Sequence, residues 1–326
     1  MKGRPIDSPI DSPLDPVDPA DPVDPVWQAV RILRNGGLVG LPTETVYGLA
    51  ADASNETAVR RVFAAKGRPA DHPLIVHLQS FDVMSEWAVD VPPSATLLAT
   101  ACWPGPLTVL VQRAGHVLDV VTGGRESIGL RVPAHPMALD LLRRFGGGVA
   151  APSANRFGRV SPTTAAHVRA DLGDTVDYVL DGGACQIGVE STIVDCTVSP
   201  PQILRPGGIP DEQIDQLLSP LHGVAPMDGP SRASGMLVSH YAPRARVEVF
   251  ETLREATERA SHLTREGHRV DVLDTNLDVV ASAQHLYSWL RSADDRSLDV
   301  LVAVLPPPVG LGHSVRDRLR KASSPR

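Results

Sequence analysis

From Val26 onward, short apolar runs alternate with stretches of helical period, and Gly or Pro stands at most of the joints. That rhythm points to an α/β fold built in layers. Helices are expected at Trp27–Asn35, stopped by Gly36-Gly37, and at Glu56–Lys66, stopped by Gly67. Further helices are expected at Ser94–Cys102, Pro136–Phe145 and Pro162–Leu172, the last with Ser161 as N-cap and Pro162 at the first helical position. Strands are expected at Leu38–Leu41, Leu74–Leu78, Leu107–Val111, Ile128–Val132 and Val149–Ala151, then at Tyr178–Leu180, Thr192–Cys196 and Gln202–Leu204. A Pro-, Gly- and Ser-rich stretch at 219–239 reads as a linker. A second, smaller alternation follows Tyr241: strands at Val247–Phe250, Val270–Leu273 and Val300–Val304, and helices at Glu251–Glu266, Ala281–Ala293 and Ser314–Ala322. The organisation read from the sequence is a tail over 1–25, a first domain over 26–218, a linker over 219–243 and a small α/β domain over 244–326.

Residues 1–26 repeat Asp, Pro, Ser and Val, a composition that predicts a disordered, partly polyproline II tail. The net charge of the 326-residue chain is −7, and six aspartates against Lys2 and Arg4 place −4 of it in that tail. The remaining −3 leaves the body near neutral, which argues against broad binding of nucleic acid. No apolar run approaches the ~20 residues that cross a bilayer, and the N-terminus lacks the pattern of a signal peptide. Three scattered cysteines (Cys102, Cys185 and Cys196) make no disulfide framework, and a reducing cytoplasm is the expected location. The histidines show no HExxH spacing, no GxSxG elbow is present, and no glycine-rich turn follows the first strand of the second alternation.

The most informative block runs from Pro42 to Leu78. A hydroxyl-rich loop (Thr43, Glu44, Thr45) is followed by a helix-period stretch, then by Lys66-Gly67-Arg68-Pro69, then by an apolar strand containing His77. Fixed cations on a Gly/Pro turn suit a phosphate-bearing ligand, although the end of a helix favours solvated cations as well. At 150–155 an apolar strand runs into Pro152-Ser153-Ala154-Asn155, where Ser153 and Asn155 can face one ligand or simply bond their own turn. Arg131 lies inside the apolar run Ser127–Pro133. A charge there needs a partner, and an arginine fork suits the carboxylate of a ligand. Gly188–Thr192 and Leu204–Gly207 are further polar segments at strand ends.

These segments in order are PTETVYGLA, KGRP with PLIVH, WPGPLTVL, RVPAHP, APSAN with SPT, DGG, GVESTIVD, LRPGGI, HYAPRA and GLGHSVRDRL. The chain resembles the threonylcarbamoyl-AMP synthase family in its long form, over roughly Val26 to Lys321. The resemblance implies a YrdC-like twisted mixed sheet with helices around a concave site, plus a small Rossmann-like α/β C-terminal domain. It implies a nucleotidyltransferase that joins L-threonine, bicarbonate or CO2, and ATP into threonylcarbamoyl-AMP and pyrophosphate, with Mg2+ accompanying the ATP. The product would pass to the tRNA threonylcarbamoyl-transfer machinery, with tRNA binding weak or indirect and no membrane partner. Lys66, Arg68, Ser153 and Asn155 match the family's polar tetrad, expected to be catalytic and to contact ATP, joined on the ATP side by His72, Ile128, Ser161, Arg205, His240 and Tyr241. Thr45, His77, Arg131, Ala151 and Ser191 match the threonine side, and no protein-held metal is implied. His72 stands where the family usually has asparagine, and Ser234-Gly235-Met236-Leu237-Val238-Ser239 lacks the proline and basic residues common there. Alternative functions are an RNA-binding module and a carbamoyl-transferring enzyme with a related domain.

Overall fold

The computed structural model describes residues 24–221, 223–224 and 240–325. Residues 1–23 of the expected 1–25 tail and most of the expected linker lie outside the described residues.

The first layer opens with α1 (Pro25–Arg34), β1 (Val39–Leu41), β2 (Gly48–Asp52), α2 (Glu56–Lys66) and β3 (Ile75–His77). Asp24 caps α1, accepting from Val26 N at 2.9 Å, so the fold begins two residues before the expected helix start. Asn55 caps α2, and Gly67 ends it in the left-handed region (φ 62°), where glycine is free of the Cβ penalty. The chain continues through α3 (Met84–Trp87), α4 (Pro93–Cys102), β4 (Leu107–Gln112), α5 (Asp119–Thr122), β5 (Ser127–Arg131), α6 (Pro136–Phe145) and β6 (Val149–Ala150). Then come α7 (Ala165–Leu172), β7 (Tyr178–Val179), β8 (Thr192–Asp195), β9 (Gln202–Arg205) and α8 (Asp211–Leu218).

Two expectations are corrected. No strand was expected between β1 and α2, yet β2 pairs antiparallel with β1, Val39 opposite Ala50. Ser161 does not cap a helix. The helix starts at Ala165, and Thr164 caps it by accepting from His167 N at 3.3 Å. The preceding residues are taken by tertiary bonds: Pro162 O accepts from Tyr47 N at 2.9 Å, and Ser161 donates to Glu190 at 2.6 Å.

β1 to β9 form one mixed sheet in the order β7-β1-β2-β6-β3-β5-β4-β8-β9. The centre is apolar on both faces, as the near-continuous Val, Leu, Ile and Ala runs require. The second unit has β10 (Arg246–Phe250), α9 (Leu253–Arg265), β11 (Val270–Asp274), α10 (Val279–Asp295), β12 (Val300–Val304) and α11 (Gly312–Ser323). Its strands are all parallel in the order β10-β12-β11. The apolar cluster of this unit includes Val46, Val160 and Val189 from the first one, so the two units share a core. Among the described residues no helix is long and apolar enough to cross a membrane.

Candidate active site

The strand ends surround a cavity with an empty volume of about 550 Å3, open to solvent. Its lining includes Thr45, His77, Arg131, Ala151 and Ser191. Arg68, Ser153, Arg205, His240 and Tyr241 line it as well. The positions expected on the threonine side therefore share one hollow with part of the expected ATP side.

Arg131 ends β5 and is buried. Its Nη2 donates to Glu44 Oε1 at 2.7 Å and to Thr45 Oγ1 at 2.9 Å, and its Nε donates to Gly105 O at 3.2 Å. The countercharge expected from a ligand is thus supplied in part by Glu44, whose other oxygen accepts from Ala134 N at 3.0 Å. The parallel pairing of β3 and β5 sets His77 opposite Arg131. Burial, with Arg131 adding to it, pushes the His77 imidazole down to about 3, so it is neutral at ordinary pH. Its Nδ1 is buried without a hydrogen-bond partner.

Lys66 and Asn155 do not line the cavity. Lys66 Nζ reaches under the 153–155 loop and donates to Ser153 O at 2.5 Å and Asn155 O at 2.6 Å. Burial, helped by Arg68, lowers its pKa well below that of a free lysine. Asn155 Nδ2 donates to Arg156 O at 2.9 Å and Arg159 O at 2.8 Å. The two residues shape the loop that presents Ser153. Close approach of β2 to that loop depends on Gly48, where a Cβ would meet Ala151 Cβ at 3.0 Å.

Arg68 Nη2 donates to Pro73 O at 3.0 Å, and its guanidinium lies 5.8 Å from the Phe157 ring. Burial lowers its pKa to about 10, and it stays charged at neutral pH. His72 is not on the cavity lining; its ring packs edge-on against Phe157 at 5.3 Å. His240 meets Phe157 at 6.1 Å and Tyr241 at 4.1 Å. Burial takes the His240 pKa down to about 3, the nearby Lys66 and Arg68 pushing the same way. Ile128 is buried in β5 and does not reach the lining, nor does Ser161, which is buried and bonded to Glu190.

The inner wall joins β8 to β9. Arg205 donates from Nε and Nη2 to Ser191 O at 3.1 and 2.8 Å, and Nη2 also reaches Ser191 Oγ at 3.1 Å. Ser191 Oγ is 2.8 Å from Thr108 Oγ1. Glu190 lies beside them, and it is buried. Burial alone would raise its pKa, but Arg318, Arg205 and bonds from Ser161 and Tyr287 outweigh it and hold the pKa down to about 2. Thr43, Val46, Gly48, Ile75, Pro152 and Glu190 also line the hollow and were not among the expected site residues. Thr43 and Glu190 sit inside motifs the sequence does display, so their motif membership was the available signal.

A mixed sheet whose strand ends gather buried cations and neutral donors, with an appended parallel unit, defines a YrdC-like α/β ligand-binding fold. The family model described as "Telomere recombination" matches residues 31–207, and the model described as "Threonylcarbamoyl-AMP synthase, C-terminal domain" matches 209–324. Threonylcarbamoyl-AMP synthase of Pyrococcus abyssi is 41% identical over 90% of this chain and 93% of its own length. That of Bacillus subtilis is 40% identical over 92% and 93%. The crystal structure of P. abyssi Sua5 complexed with L-threonine superposes with a TM-score of 0.87 at 39% identity, covering 91% of this chain and 94% of that one. The chain belongs to the threonylcarbamoyl-AMP synthase family, in the long form that carries both domains. It is an ATP-using nucleotidyltransferase of that family, which decides against the RNA-binding and carbamoyl-transferring alternatives.

Proposed function

We propose that L-threonine and ATP lie side by side in this one cavity, threonine against Arg131 and Ser191, the nucleotide against Arg68, Ser153 and Arg205. The observation that carries the proposal is the opening of Arg131 and Arg68 onto the same hollow. With Nε and Nη2 engaged, Nη1 of Arg131 is the group left for the threonine carboxylate. His77, neutral and lining the hollow, has one ring nitrogen free of a proton that can accept from the amine or hydroxyl. On this reading the free amine attacks CO2 and gives up a proton to solvent, or attacks bicarbonate with loss of water, to form a carbamate. A carbamate oxygen then attacks the α-phosphorus and pyrophosphate leaves. No protein nucleophile is required. The chain positions the reactants and sets fixed charge where phosphoryl charge builds, a task for Arg68 and Arg205 with Ser153 as a neutral donor. Lys66 and Asn155 act from beneath by holding the Ser153 loop. His240 and Tyr241 close the nucleotide side, and the aromatic contact of His72 with Phe157 supports the platform under Arg68.

Among the described residues no group of His, Cys, Asp and Glu gathers as a metal cage, and the lining carboxylate Glu190 is already bound by Arg318 and Tyr287. That donor set fits Mg2+ entering as part of the nucleotide substrate, ligated by phosphate oxygen and water, where it would neutralise phosphate charge. We assign catalysis to residues 26–218, a connecting role to 219–243 and support of the site to 244–326. The product passes to a tRNA threonylcarbamoyl-transfer machinery in the cytoplasm, with tRNA contact weak or indirect, in keeping with the near-neutral body.

The test is pyrophosphate release with threonine, bicarbonate or ATP omitted in turn, together with capture of labelled bicarbonate in the adenylate. Release that needs all three supports the reaction. Equal release without threonine contradicts it.

A further inference from the structure

Glu190 receives hydrogen bonds from both domains. Oε1 accepts from Ser161 Oγ at 2.6 Å, while Oε2 accepts from Tyr287 Oη at 2.7 Å and Arg318 Nε at 2.8 Å. Tyr287 belongs to α10 and Arg318 to α11, and both side chains are fully buried. The contact continues into the segments that precede β8 and follow β9. Gly208 N donates to Glu190 O at 3.0 Å, and Ser314 of α11 donates to Gly207 O at 2.7 Å. It also reaches the lining residue Tyr241. Tyr241 stacks on Tyr287 with centroids 5.7 Å apart, and the Arg318 guanidinium lies 5.0 Å from the Tyr241 ring.

A buried carboxylate is held in one place only while its hydrogen bonds are met. Here the C-terminal domain supplies two of its three side-chain donors. Ser191 follows Glu190 directly in the chain, and Arg205 is anchored on Ser191 O, so any shift of Glu190 moves a neighbour of each substrate seat.

We propose that Tyr287 and Arg318 are positioning residues for the synthase reaction, through which the C-terminal domain acts on catalysis by holding Glu190 and thereby aligning Ser191 and Arg205. The inference rests on the threonine and nucleotide seats proposed above. Domain glue with no effect on chemistry is the competing account, and kinetics separate the two. Tyr287→Phe keeps the ring that stacks on Tyr241 and removes only the hydroxyl. The expected result is a rise of about tenfold in threonine KM, the scale of one lost hydrogen bond to a charged group, with a melting temperature near that of the parent. In a cycle with Glu190→Gln, the double variant is expected to be no worse than the worse single one, because both changes break the same link. Arg318→Lys is expected to retain more kcat/KM than Arg318→Met. An unchanged threonine KM in Tyr287→Phe, or losses that multiply in the double variant, overturns the proposal. Loss of activity only in proportion to loss of folded protein overturns it too. Arg131→Ala serves as the reference: if it leaves threonine KM unchanged, the seat reading itself has failed. If it raises KM while Tyr287→Phe is silent, only the present inference falls.

Discussion

Arg131 carries two duties with one guanidinium. It neutralises Glu44, 87 residues away in sequence, and lines the cavity. The charge inside an apolar strand was visible in the sequence, but Glu44 as its partner was not, because that pairing is made by the sheet. Arg131→Ala should raise threonine KM at least tenfold and also destabilise the fold by about 3–5 kcal/mol, since Glu44 would be left buried and unpaired. Steady-state kinetics and urea unfolding check the two effects separately, and an unchanged KM would make the arginine purely structural. Arg68→Ala should abolish adenylate formation in a folded protein, read as loss of pyrophosphate release with an unaltered circular dichroism spectrum. Lys66 illustrates the limit of motif reading: its proximity to Ser153 and Asn155 was expected, but its ammonium points into their carbonyls and not into the hollow. The buried ionisable groups set the acid side of stability. His77 and His240 have folded pKa values of about 3 against an ordinary 6.5, and Glu190 has about 2 against 4.5. In each case the unfolded chain takes up the proton first as pH falls. Their stabilisation is therefore fully present above about 6.5, declines below it as the histidines of the unfolded state are protonated, and declines further below 4.5 towards 2 as Glu190 joins. Urea unfolding should show the free energy dropping continuously from pH 7 to pH 4, and a stability that climbs over that range contradicts the assignment.

At the level of elements, the strands and helices with a clear period were legible, and the exceptions have local causes. β2 reads Gly-Leu-Ala-Ala-Asp, residues of low strand propensity that β1 and β6 nonetheless recruit into the sheet. The start of α7 was misplaced because Ser161 and Pro162 carry cap-like sequence but are held by Glu190 and Tyr47 instead. The turn after β9 packs without slack against the start of β8. A Cβ at Gly207 would stand 2.2 Å from Thr192 N and 2.5 Å from Glu190 O. Gly207→Ala must therefore push the inner wall apart. The expected outcome is a loss of at least tenfold in kcat/KM and a destabilisation of about 1–3 kcal/mol, the usual scale of overpacking. Parent-like kinetics in that variant would show that the wall tolerates displacement.

For the whole molecule, the sequence revealed two alternations, a linker and a near-neutral body, and the structure adds that the second unit is built into the first. Val46, Val160 and Val189 share its apolar cluster, Arg291 of α10 binds Asp171 of α7 at 2.6 Å, and a Cβ at Gly188 would strike Gln284 O at 2.3 Å. None of these contacts has a periodic or motif signature, and the last two join positions 120 and 96 residues apart. The second unit consequently backs the hollow without lining it, through Tyr287 and Arg318 on the lining residue Glu190. The proposed seats put two ligands in that one hollow. A crystal structure with L-threonine and a non-hydrolysable ATP analogue tests it most directly. It should place the threonine carboxylate at Arg131, and the phosphates at Arg68 and Ser153, with the amine facing the α-phosphorus across a gap for the carboxyl group. Either ligand bound outside the cavity, or the two excluding one another, would contradict it.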